Sequence, residues 1–102
     1  MSRLEQLLKL VAIAPNDPMS HYGVGLEYIN LQRWSEAADS FERAIAADAR
    51  YSAAYYQRGR ALISDGKPAE ARQVLEAGMT IAQQAGDWHT QGEMRALLET
   101  IE

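Results

Sequence analysis

Cysteine is absent from this chain of 102 residues. Without thiols the protein can form neither a disulfide framework nor a thiolate metal site, which excludes the stapling of small extracellular domains. The two histidines, His21 and His89, lie in opposite halves of the chain and have no acidic cluster beside them at ligand spacing. We therefore expect no metal site and no cofactor.

Large apolar side chains and long apolar runs are also scarce. The chain has one Phe and two Trp, and much of its 47% hydrophobic content is Ala, which predicts helices that pack closely through small residues. No apolar stretch reaches the roughly 18 residues that could span a bilayer. The chain starts with Met1-Ser2-Arg3 and continues through Glu5 and Lys9, unlike a signal peptide. We expect a single cytoplasmic domain that folds without staples.

Positive charge is not concentrated anywhere. The chain has 10 Lys and Arg against 14 Asp and Glu, a net charge of −4, and the two signs are interleaved. Nucleic-acid binders gather Lys and Arg on one face, so neither a nucleic acid nor a membrane is an expected partner. The serines have no triad-like companions and no Gly-rich phosphate loop is present, so we expect no catalytic residues and no enzyme activity.

An internal repeat is the strongest signal that the sequence does contain. Residues 18–51 and 52–85 align at an offset of 34 residues. Small residues allow the close approach of helices, and the shared positions include them. The identical pairs are Tyr22/Tyr56, Gly25/Gly59, Ile29/Ile63, Glu36/Glu70, Ala37/Ala71 and Glu42/Glu76.

Both copies resemble the tetratricopeptide repeat, whose pattern is an aromatic residue, Leu-Gly, Tyr, Ala, a large apolar residue and Pro. They depart from it at the aromatic position, where neither copy has the usual Trp, and at Arg58, where Leu is usual. The resemblance implies an all-α, right-handed α–α superhelix of about six helices. The pattern positions hold His21, Val24, Gly25, Tyr28, Ala37, Phe41, Ala44 and Ala49 in the first copy, and Tyr55, Arg58, Gly59, Leu62, Ala71, Leu75, Gly78 and Gln83 in the second.

Residues outside the two copies extend the pattern. Leu7 precedes Phe41 by one period, so residues 2–14 are interpreted as the second helix of a half-repeat. Residues 86–102 are interpreted as a capping helix that lays its apolar side chains on the preceding helix. Those side chains are Trp88, Met94, Leu98 and Ile101. In an alternative register, Trp88 and Gly92 repeat the spacing of Tyr55 and Gly59.

The resemblance also implies a binding surface. In tetratricopeptide proteins the first helices of successive repeats line a concave face on which a peptide docks. Here that face would carry Tyr22, Leu26, Ile29 and Asn30, then Tyr56, Arg60 and Ser64. The alternative is that both Tyr side chains only stack between helices. The Lys and Asn clamp by which some members hold chaperone C-termini is absent, since its positions hold Tyr22, Leu26, Gln57 and Thr90.

Two further expectations concern Arg58 and the first helix. A buried Arg needs an acid, and Glu27 is the expected partner, although Arg58 and Arg60 could instead form a local anion site. The function we expect is non-catalytic docking of a partner protein. The alternative is self-association as a homodimer or larger homo-oligomer, through the groove or through the first helix. On that helix Leu10 and Ile13 lie off the main apolar stripe, which consists of Leu4, Leu7, Leu8 and Val11. A small-molecule or enzymatic helical domain is a third, weaker hypothesis.

Overall fold

The computed structural model describes all 102 residues, which form six α-helices and no strand. The helix bounds follow from start and stop signals that operate locally in the sequence. The helices are α1 (Arg3–Ile13), α2 (Pro18–Asn30), α3 (Trp34–Ala47), α4 (Ser52–Ser64), α5 (Pro68–Ala85) and α6 (Trp88–Glu99).

Side chains at the helix starts account for several of these bounds. The Ser2 hydroxyl accepts a hydrogen bond from the Glu5 amide at 3.1 Å. The Asp17 carboxylate accepts from the Met19 amide at 3.0 Å, and Pro18 follows at the first helical position, where its missing N–H costs nothing. At the other end of α5, Gly86 adopts a left-handed backbone with φ of 71°. Each signal ends or begins a helix without help from distant residues.

The helices stack in chain order. Each one contacts the next, and α4 also contacts α6. The molecule measures 40 × 28 × 18 Å. This is the elongated, one-dimensional packing of a helical-repeat solenoid, in which each unit is stabilised by its neighbours. None of the helices combines the length and apolar character needed to cross a membrane.

The repeated small residues face repeated large ones inside each hairpin. Phe41 and Leu75 occupy equivalent positions in α3 and α5, and both are fully buried. A Cβ atom added to Gly25 would lie 2.5 Å from Cε1 of Phe41, and one added to Gly59 would meet the tip of Leu75. Real side-chain carbons do not approach so closely. The predicted close packing at these glycines is therefore confirmed.

Helix α1 lies at the edge of the stack and has no buried residue. Leu4, Leu7 and Val11 of its apolar stripe are half-buried, and a Cβ atom added to Gly23 of α2 would lie 3.5 Å from Cδ2 of Leu7. Leu8 is more exposed than the rest of that stripe, and Ile13 is 80% exposed. One side of α1 thus packs on α2 while the other stays open.

Helix α6 covers the opposite end of the stack. Met94 is fully buried, and Leu98 and Ile101 pack against its cluster, as expected for a capping helix. The expectation for Trp88 is wrong, because its side chain is 65% exposed. Trp88 is the first residue of α6, directly after the Gly86-Asp87 turn. Gly92 has no atom within 4 Å of an added Cβ, so no close helix contact forms there.

Candidate binding surface

The seven expected binding residues share one side of α2 and α4, called here the groove face. Spacings of four and seven residues place them on one helix side. The opposite side of α2 carries the buried residues His21, Val24 and Gly25. On the groove face, Leu26, Asn30, Arg60 and Ser64 are exposed, and Tyr22, Ile29 and Tyr56 are half-buried.

Tyr22 is held more firmly than a free groove residue. Its ring packs edge-on against Phe41 with centroids 5.5 Å apart. It also stacks on Tyr51 at 5.0 Å with an interplanar angle of 23°. Such aromatic pairs add stability beyond the area they bury. Tyr22 therefore has a structural role between helices, and its hydroxyl end is the part that reaches the surface network.

That network is organised by Gln57, which the sequence analysis did not include among the groove residues. Its side-chain Nε2 donates to the Tyr22 hydroxyl at 3.3 Å, which links α4 to α2. Its Oε1 accepts from Nη1 of Arg60 at 2.8 Å. Arg60 also lies over the Tyr56 ring, 5.9 Å from its centroid. The spacing of three residues between Gln57 and Arg60 was a usable signal, since such side chains are neighbours on a helix.

The N-terminal ends of α4 and α6 are tied together beside this face. Ser52 donates its hydroxyl hydrogen to Asp87 at 2.7 Å, and the Thr90 amide donates to the same carboxylate at 3.2 Å. Hydrogen bonds from Thr90 and then from Ser52 lower the pKa of Asp87 below its ordinary value, because they favour the charged form. A cavity of about 550 Å³ lies at this end, and Met19, Tyr51 and Ala53 line part of it.

Arg58 does not pair with Glu27, contrary to expectation. Its Nη2 donates to Oε2 of Glu42 on α3 at 3.3 Å. Glu27 lies instead beside Arg3 of α1, with Nε and Oε2 3.1 Å apart. The alternative, an anion site made jointly by Arg58 and Arg60, does not form either, since the two residues lie on opposite sides of α4.

The histidines have separate environments. His21 is buried, and a ring nitrogen donates to the Pro15 carbonyl at 2.6 Å, which links α2 to the turn before it. His89 is exposed and lies 3.4 Å from Glu93 in the same helix. No group of three or more His, Asp or Glu side chains is arranged to hold a metal ion.

Comparisons with known proteins support the fold. The chain is 29% identical over 99 residues to the TPR repeat-containing protein PA0015 of Pseudomonas aeruginosa, covering 97% of this chain and 94% of that one. The fold superposes on the TPR2B domain of yeast Sti1 in its pHsp70 complex with a TM-score of 0.91, at 20% identity and covering 96% of this chain and 78% of that one. Protein BPP2914 of Bordetella parapertussis gives a TM-score of 0.84 at 26% identity, covering 99% of this chain and 88% of that one.

The family model of the tetratricopeptide repeat matches residues 28–92, which is more than half of the chain. The match includes most of the first sequence copy, all of the second and the beginning of α6. Together with the six stacked helices, it shows that the chain belongs to the tetratricopeptide repeat family.

Proposed function

We propose that this protein is a non-catalytic interaction module that docks a peptide or helix of a partner protein on the groove face. The observation that carries the proposal is the combination of exposure and order on that face. Leu26 and Arg60 are accessible, while Gln57 holds Arg60 through one hydrogen bond and the Tyr22 hydroxyl through another. A surface whose side chains are already held in place loses little entropy on binding.

The side chains present suggest the chemistry of the partner. Leu26 and Ile29 offer apolar area, and Tyr56 adds aromatic area at low entropy cost. Arg60 offers an exposed guanidinium that can bind a carboxylate or a carbonyl. The yeast Sti1 domain binds a pHsp70 peptide, but at 20% identity the likeness supports only a shared fold. The clamp residues for such peptides are missing here, so we propose a more apolar segment.

Variants of exposed residues test the groove without disturbing the core. In the Leu26→Glu/Arg60→Ala variant we expect capture of specific partners to fall by about tenfold or more, since apolar contact and a charged hydrogen bond are lost together. The free energy of unfolding should change by about 0.5 kcal/mol or less. Quantitative affinity capture and denaturant unfolding measure the two effects.

Leu31→Glu is the matched control for this experiment. Leu31 is also exposed and adjoins α2, but it lies on the side of the helix away from Leu26. Partners retained by Leu31→Glu and lost by the groove variant would support the proposal. Equal retention by both variants would show that the groove face is not the docking surface. Tyr22→Ala is a poor probe, because it also removes the packing on Phe41 and Tyr51.

Self-association through α1 is a second candidate, favoured by the open side of that helix. No residue of α1 is buried, and Leu10 and Ile13 are exposed next to each other along the helix. Burying such exposed apolar surface between two copies of the chain is favourable. In this proposal two molecules bury these side chains together.

Sedimentation or light scattering over a wide concentration series tests this candidate. The mass should rise with concentration for the unmodified chain and for Ala12→Glu, a control that adds the same charge at an exposed position on another side of α1. It should stay at the monomer value for Leu10→Glu/Ile13→Glu. A monomer at every concentration for all three proteins would rule self-association out over that range.

A further inference from the structure

A second concave surface lies between α3 and α5, on the side of α4 opposite the groove face. It is a cleft of about 410 Å³ that is open to solvent, called here the Arg58 cleft. Tyr55 and Arg58 enter it from α4, about half a turn around that helix from Tyr56 and Arg60. Its residues are Glu42, Ile45, Ala46, Tyr55, Arg58, Gln73, Val74 and Ala77.

The guanidinium of Arg58 leaves one of its hydrogen-bond donors unpaired inside this cleft. Its side chain is only 23% exposed, and its single protein contact to a carboxylate is the 3.3 Å bond from Nη2 to Glu42. The Nε–H donor of the same guanidinium is buried and has no acceptor. A buried donor without an acceptor is unfavourable, and most are satisfied in folded proteins.

Arg33 shows what a complete pair looks like in the same molecule. Its Nε donates to one oxygen of Glu36 at 2.6 Å and its Nη2 donates to the other at 2.5 Å. These two donors lie along one edge of a guanidinium and match the two oxygens of a carboxylate. At Arg58 the corresponding edge is only half used. It can therefore accept a carboxylate in the geometry that Glu42 does not reach.

We propose that the Arg58 cleft binds an acidic side chain flanked by apolar residues in a partner polypeptide. The incoming carboxylate replaces Glu42 on Nη2 of Arg58 and, once the Arg58 side chain turns outward, also accepts from Nε. The flanking residues contact Ile45 and Val74. A polypeptide is the fitting occupant because the cleft lies open along one side, whereas small-molecule sites enclose most of their ligand. The site is separate from the groove face and involves different helices.

Glu42 would act as a built-in competitor for this ligand. Its side chain is 61% exposed and holds Arg58 through one long bond, so it can turn toward water when another carboxylate arrives. Removing its charge should therefore strengthen ligand binding, while removing Arg58 should abolish it. These opposite signs distinguish a binding site from a purely structural ion pair.

The test uses the full chain and two main synthetic probes, acetyl-Leu-Glu-Leu-amide and its Gln counterpart. A third probe, acetyl-Leu-Leu, carries a free C-terminal carboxylate. Nuclear magnetic resonance follows the Nε–H signal of Arg58 and the amides of α3 and α5. We expect the Glu probe to shift these signals and the Gln probe to bind about tenfold more weakly or not at all. Arg58→Leu restores the usual family residue, so it should fold and lose the Glu-specific binding.

Two further variants complete the design. Glu42→Gln should raise the affinity for the Glu probe, and Glu36→Gln, which alters a pair outside the cleft, should leave it unchanged. The proposal is overturned if Glu42→Gln weakens binding, if Arg58→Leu still binds the Glu probe, or if neither probe shifts the Arg58 signal. Binding of acetyl-Leu-Leu through its free C-terminal carboxylate in preference to the Glu probe would overturn the choice of an internal acidic residue.

Discussion

Replacing Phe41 with Ala is expected to lower the free energy of unfolding by about 3–5 kcal/mol. The ring is fully buried, fills the space above Gly25 and packs edge-on against Tyr22. The loss combines the transfer of apolar surface to water with the cavity that remains. Domains of this kind are stable by only about 5–15 kcal/mol, so the change should greatly lower the denaturant midpoint.

A graded series keeps this prediction measurable if the Ala variant is partly unfolded. Phe41→Leu leaves most of the apolar volume and should cost clearly less. Leu31→Ala, at an exposed position, should change stability by about 0.5 kcal/mol or less. Urea titration followed by circular dichroism compares the midpoints. A midpoint for Phe41→Ala equal to that of the unmodified chain would contradict the central role given to this ring.

The core could be predicted because its requirements repeat along the sequence. Gly25 and Gly59 recur at one period, as do Phe41 and Leu75, and the structure places each glycine under its large partner. The helix bounds can be predicted from the sequence for a different reason. Capping by Ser2 and Asp17 and the left-handed turn at Gly86 depend on neighbouring residues only.

The polar contacts between helices could not be predicted from the sequence in the same way. Arg58 was expected to find Glu27 and instead pairs with Glu42, because Glu42 lies on α3, which packs directly against α4, whereas Glu27 on α2 lies beside Arg3 of α1. Sequence spacing defines the side of a helix that a residue faces, but not how far one helix slides along another. The bridge through Gln57 from Tyr22 to Arg60 depends on that same offset.

Helix α4 connects the two surfaces proposed here. Tyr56 and Arg60 lie on its groove side, while Tyr55 and Arg58 lie on the side that faces α3 and α5. The Gly59 backbone and the buried Leu62 hold the helix against α5. Because one rigid helix supports both surfaces, the structure allows a partner on each side without either one displacing the other.

The helix glycines provide the last prediction, in which the same substitution has opposite effects at two positions. Gly25→Ala should destabilise the protein by about 1–3 kcal/mol, because the new Cβ would overlap the Phe41 ring. Gly92→Ala should instead stabilise it by about 0.5–1 kcal/mol, since Ala favours a helix and nothing lies within 4 Å of the added carbon.

Thermal and denaturant unfolding of the two variants and the unmodified chain measure this contrast directly. A double variant that combines Gly25→Ala with Phe41→Leu should lose less stability than the sum of its parts, because the smaller side chain relieves some of the overlap. If Gly25→Ala proved as stabilising as Gly92→Ala, the helices could not approach as closely at Gly25 as the structure shows. Packing against Phe41 would then not explain why residue 25 is a glycine.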